Sequence, residues 1–124
     1  MIVDTVHTFN RNHTGNDPPR PVACFLRDEQ ERIVGGVRAS LWGRSIHIDA
    51  LWIHESLRGR GFGSRLMKAI EEYAAAQGHR LVYLETASFQ ALPFYQALGY
   101  VTFGELSEIS KDVTLYFLMK KLSP

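Results

Sequence analysis

Arg58-Gly59-Arg60-Gly61-Phe62-Gly63-Ser64 sets three alternating glycines among two arginines, just ahead of a long helical pattern. Glycine lets a backbone enter left-handed turns and approach a ligand closely. The first N–H groups of a helix lack partners within it and attract anions. Arg58 and Arg60 bring positive charge to the same place. A run of this kind suits a phosphate group. A nucleoside-triphosphate loop would need a Gly-Lys-Ser/Thr triplet, which the sequence lacks. A dinucleotide fold would need Gly-x-Gly-x-x-Gly and an acidic residue about 20 positions later. Gly63 comes one position too early for that, although Glu85 falls in roughly the right region. A turn without a ligand is the plain alternative, but glycines at a helix start are costly and ask for a reason.

The elements that position this turn can be read from pattern. The 124 residues, 45% hydrophobic and 22% charged, suit a single domain over 1–124 with one core. A net charge of +1 with no basic block gives no support for a nucleic-acid partner. No apolar run is long enough for a bilayer, and no signal-peptide pattern opens the chain. Cys24 is the only cysteine, so an internal disulfide is excluded and a cytoplasmic setting is expected. Its neighbours Val22, Ala23, Phe25 and Leu26 make it a small core hydrophobe. His7, His13 and His79 are scattered, and no metal-ligand spacing is present.

Ile2, Val3, Val6 and Phe9 recur at helical spacing, and residues 10–21 read as a loop. Strands follow at 22–26, 33–42 and 45–54, joined by short turns and therefore antiparallel, with a bulge expected at Gly35-Gly36. Alternation along the third strand puts His47, Asp49, Leu51 and Ile53 on one face. Ile46, Ile48, Ala50 and Trp52 take the other. The helix after the glycines runs to about 77, with Leu66, Met67, Ile70, Tyr73 and Ala74 inward and Arg65, Lys68, Glu71 and Glu72 outward. A fourth strand at 80–86 is parallel to the third. A short helix at 89–98 and strands at 100–106 and 113–120 close the fold. The expected class is α+β: a mixed sheet with flanking helices.

Arg58 to Gly63 resembles the Arg/Gln-x-x-Gly-x-Gly/Ala motif of the GNAT (GCN5-related) N-acetyltransferases. Ala91-Leu92-Pro93-Phe94-Tyr95-Gln96-Ala97-Leu98-Gly99-Tyr100 is similar to that family's Ala-x-x-x-Tyr-x-x-x-Gly-Phe stretch. The two lie in the family's order, and the resemblance spans about 33–122. Ser88 stands where the family often has Asn, and the usual strand ahead of the first helix is not expected. The resemblance implies antiparallel amino-terminal strands and a parallel pair splayed at the cofactor. It also implies acetyl-CoA as cosubstrate and direct transfer of acetyl to an amine. The amides from Arg60 to Ser64, including Gly61, Phe62 and Gly63, would hold the pyrophosphate, with Arg58, Gly59 and Arg60 beside it. Backbone groups of Leu51, Trp52 and Ile53 would pair with the pantetheine arm, as an added strand does. The loop at 10–21, with Asn16 and Asp17, would line the amine side, and a homodimer is an expectation carried over from the family.

Such a reaction moves two protons. An alkyl ammonium, like lysine near 10.4, must lose one before it attacks, and the leaving thiolate benefits from a donor. Tyr95 matches the family's general acid, and a tyrosine stays protonated at neutral pH. His47, oriented by Asp49, is the expected base, with Glu85 the alternative. An acyl-CoA-binding sensor on the same scaffold is the rival from another functional class.

Overall fold

A computed structural model of the chain describes residues 18–123; the expected amino-terminal helix and the part of the loop up to residue 17, with Asn16 and Asp17, lie outside them. Strands β1 (Arg20–Arg27), β2 (Ile33–Trp42) and β3 (Ser45–Ile53) form an antiparallel meander. A 3-10 turn (Glu55–Leu57) and the glycine run lead into helix α1 (Phe62–Ala76). Strand β4 (Leu81–Ala87), helix α2 (Leu92–Ala97), and the hairpin of β5 (Val101–Ser110) and β6 (Val113–Lys121) follow. The sheet order is β1-β2-β3-β4-β6-β5, with β3 and β4 parallel and every other pair antiparallel.

Strand β1 begins at Arg20, earlier than expected, and takes in Pro21. An edge strand tolerates a proline because its missing N–H can face away from the neighbour. Helix α2 begins later than expected. The Gln90 side chain accepts a hydrogen bond from the Ala87 amide at 2.8 Å and holds residues 88–91 as a turn. Pro93 then sits in the first helical turn, where its lost donor costs little.

Two bulges interrupt the ladders. Leu26 faces Gly35 while Arg27 faces Ile33, so Val34 is the extra residue, beside the expected Gly35-Gly36. The second was not expected: Arg38 faces Ala50 while Ala39 faces Ile48, which leaves Asp49 extra in β3. A bulge breaks the two-residue alternation and bends its strand. The face assignment for β3 is therefore corrected. Leu51 and Ile53 join Ile46 and Ile48 against the core, whereas Ala50 and Trp52 are exposed on the face of His47.

Helix α1 covers the first of these faces. Leu66, Met67, Ile70 and Ala74 are buried against Val37, Ala39, Ile46, Ile48, Val82, Leu84 and Leu118. Each fully buried aliphatic side chain contributes about 1.5–3 kcal/mol. Tyr73, placed inward by periodicity, is 41% exposed. Glu71, placed outward, has a side chain only 12% exposed. It accepts from the Tyr100 hydroxyl at 2.7 Å and from Lys120 Nζ at 2.8 Å, and so ties α1 to β6 across the core edge. Tyr100 is thus a hydrogen-bonded tyrosine and not plain packing; burial and the Glu71 carboxylate push its pKa well up. Glu71→Ala would strand the buried Tyr100 hydroxyl and unpair the half-buried Lys120, so we expect a loss of about 2 kcal/mol in urea denaturation. Glu71→Gln should restore part of it, and an unchanged midpoint for Glu71→Ala would show that the bond carries no stability.

Candidate active site

Strands β3 and β4 pair only at Ser45–Leu81, Ile46–Val82 and His47–Tyr83. Beyond His47 they part. The bulge at Asp49 follows at once and turns β3 away, so the remainder of β3 has a neighbour on one side only. His54 N–H donates to Val34 C=O in β2. By alternation Trp52 also directs its main-chain groups to β2, and Leu51 and Ile53 direct theirs into the gap. Of the three residues expected to pair with a pantetheine arm, two are oriented to do so, and Trp52 contributes through the cavity wall. The Ile53 carbonyl already accepts from Arg58 Nε at 3.1 Å, so Arg58 braces the turn onto β3.

A cavity of about 870 Å3 opens there, lined among others by Leu51, Trp52, Ile53, Arg58, Gly59, Gly61, Phe62, Gly63 and Ser64. Its glycines serve different ends. Gly59 and Gly61 have φ of 77° and 82°, left-handed values that a side chain resists, and a Cβ on either would meet nothing within 4 Å. Their bareness keeps space beside the helix start clear. A Cβ on Gly63 would stand 3.2 Å from the Phe94 ring, so this glycine admits α2 close to α1. Gly61 caps α1 without a side-chain hydrogen bond, and the first bond inside the helix runs from Arg65 N–H to Gly61 C=O. The amides of Phe62, Gly63 and Ser64 therefore point outward unpaired within the helix, which is the arrangement a diphosphate needs. Arg60 is exposed beside them.

A second cavity, about 300 Å3, shares Leu51, Gln90 and Ala91 with the first and is further lined by Ile48, Asp49, Ala50, Leu84, Glu85, Thr86 and Tyr95. The expected base and its alternative meet here in one cluster. His47 Nδ1 lies 2.7 Å from Asp49 Oδ1 and Nε2 lies 2.5 Å from Glu85 Oε2. Ser40 Oγ donates to Asp49 Oδ2 at 3.0 Å. Burial works against a charged imidazole, but its hydrogen bonds to Glu85 and Asp49 and their negative charges outweigh it and push the His47 pKa above its ordinary 6.5. Both ring nitrogens are engaged, and Asp49 and Glu85, not His47, line the cavity. Tyr95 is buried edge-on against Phe94 and Tyr100, and burial raises its pKa. Cys24 lines neither cavity, and burial raises its pKa as well, so its thiolate is disfavoured.

Sequence reasoning missed Ser40, Gln90 and Phe94. Phe94 stands beside Tyr95 in the second motif, but nothing in the one-dimensional pattern pairs it with Gly63. Among the described residues no cluster of metal-ligating side chains occurs.

The acetyltransferase (GNAT) family model matches residues 4–100. The chain belongs to that family. The described residues form a GNAT fold of six strands with one parallel pair and two α-helices, and as a member the protein is an acetyltransferase with acetyl-CoA as cosubstrate. It is 31% identical to blasticidin-S acetyltransferase of Streptomyces morookaense over 106 residues, 85% of this chain and 78% of that protein. A crystal structure of an acetyltransferase from Bacillus cereus superposes with a TM-score of 0.89 at 34% identity, covering 98% of this chain and 89% of the other. An aminoglycoside 6'-N-acetyltransferase complexed with coenzyme A shares the GNAT fold at 22% identity and a TM-score of 0.74, over 84% of this chain and 74% of its own. No helix among the described residues is long and apolar enough to cross a membrane.

Gly61→Val should fold, since its Cβ meets no atom and the strain is about 1–2 kcal/mol. It should nevertheless lose coenzyme A affinity by at least about tenfold, or about 1.4 kcal/mol, in calorimetry. Full affinity in that variant would move the diphosphate elsewhere.

Proposed function

We propose that this acetyltransferase acetylates a primary amine, on a small molecule or a protein, by direct transfer within one domain. The observation that carries the reading is that Asp49, Glu85 and Tyr95 line one cavity adjoining the cofactor cavity. The amine arrives as an ammonium. Carboxylate oxygens attract it; Arg38, with Nε 4.0 Å from Asp49 Oδ2, offsets part of the charge on that side, so Glu85 is the more negative side of the cluster. Glu85 or Asp49, at the cavity wall, accepts its proton. His47 stands behind them as a positioning residue that shares the charge, which revises its expected role as the direct base. The freed amine attacks the thioester carbonyl, a second proton leaves the adduct to the same cluster, and the carbon–sulfur bond breaks. Main-chain N–H groups of β3 in the gap are suited to the oxyanion. The thiolate takes its proton from Tyr95, which burial keeps protonated at neutral pH; one of the two protons held by the cluster then restores the phenol and the other leaves to solvent. The weakly acidic Cys24, outside both cavities, favours this route over an acyl-cysteine intermediate. We further infer a cytoplasmic setting, where acetyl-CoA is available and a lone thiol stays reduced.

Tyr95→Phe should bind acetyl-CoA as before and lose about 100-fold or more of kcat at neutral pH; unchanged turnover would remove Tyr95 from the reaction. The pH profile gives a separate check. A cluster holding a protonated His47 takes up a further proton poorly, so kcat/KM should rise with pH through a value above 6.5. Glu85→Gln removes one of the partners that raise that pKa, so the acid limb should move to lower pH as the rate falls. A limb that stays put in Glu85→Gln would exclude His47 as its origin.

A further inference from the structure

We propose that Phe25 and Trp52 form a ring-binding subsite, and that the acceptor is an amine carried on a flat aromatic frame. This rests on the amine-transfer reading above and narrows its substrate. Phe25, Gly36 and Trp52 stand in one row across β1, β2 and β3, on the sheet face that carries His47. A Cβ on Gly36 would lie 3.1 Å from the Phe25 ring and 3.2 Å from Trp52 Nε1. The missing side chain at Gly36 is what lets both rings settle over the strand between them. Even so they remain 55% and 47% exposed, which packing among the described residues does not account for.

The two rings wall a cavity of about 340 Å3 together with Ala23, Val37, Arg38 and Ala50. Ala50 also lines the cavity of Asp49, Glu85 and Tyr95, and Trp52 also lines the cofactor cavity. The rings thus continue the site already described. Trp52 lies two residues beyond Ala50, roughly 7 Å along the strand. An ammonium held at the carboxylates, with a ring a short tether away, would lay that ring on Trp52 and Phe25. Arg38 decides against a polyamine. It lines the ring cavity, and its Nε stands 4.0 Å from Asp49 Oδ2. A second positive charge on the acceptor would meet the guanidinium there, whereas an apolar ring would not.

The test compares 2-phenylethylamine with n-butylamine at saturating acetyl-CoA, in the full chain and in Phe25→Ala and Phe25→Leu. The unaltered protein should favour phenylethylamine in kcat/KM. Both variants should raise its KM roughly three- to tenfold, with the KM of acetyl-CoA unmoved. Equal kcat/KM for the two amines would overturn the subsite while leaving amine transfer in place. So would a lowered melting temperature with no change in KM, since Phe25 would then be packing against another part of the chain. If neither amine is acetylated although acetyl-CoA binds, the subsite is overturned, while transfer to an amine of another class still stands and is read by Tyr95→Phe.

Discussion

The site depends on the parting of β3 and β4. Parallel strands that stay paired have no room between them, and their main-chain groups satisfy one another. Here pairing stops after His47 and Tyr83, and the bulge at Asp49 follows directly. One extra residue bends β3, frees the inward main-chain groups of Leu51 and Ile53 from any strand partner, and reverses which side chains face the core beyond it. A main chain that lacks a strand neighbour is costly unless something else hydrogen-bonds to it. In the reading proposed above, a peptide-like cofactor arm answers that requirement. The Arg58 side chain already answers it at the Ile53 carbonyl.

The same bulge organises the charge. Asp49 is displaced from the regular ladder and its carboxylate turns to His47, while Glu85 reaches the other ring nitrogen from across the gap. A histidine clamped by two carboxylates is held in one orientation and favours its charged form. At the far end of the gap the electrostatics have the opposite sign: unpaired amides at the start of α1, with Arg60 nearby. In the proposed reaction one end takes the anionic carrier and the other the ammonium of the acceptor. The two cavities meet at Leu51, Gln90 and Ala91, beside Tyr95.

Much of this was legible in the sequence where a local rule applied. The strands of the meander, the start of α1 at the glycines and the parallel relation of β3 to β4 followed from alternation, helical spacing and connection length. The bulge at Val34 was signalled by the glycines next to it. The bulge at Asp49 carried no such mark, since it lies between ordinary strand residues and arises from how β2 and β4 take hold of β3. Glu71 was misplaced for a similar reason. Helical periodicity puts it on the wet side, and only the approach of Tyr100 and Lys120 makes that position a buried acceptor.

The sequence by itself determined the chemistry on offer: a glycine turn whose free amides suit an anion, a tyrosine inside the second motif, and a histidine with acidic residues near it. These depend on residue type and short spacing, which the chain carries wherever it folds. Only the tertiary structure decided how the acidic and basic groups combine. His47 and Glu85 are 38 residues apart and meet because two strands lie side by side. It also decided that the carboxylates, not the imidazole, face the cavity: Asp49 is the extra residue of β3, Glu85 comes from β4, and the imidazole is held between them.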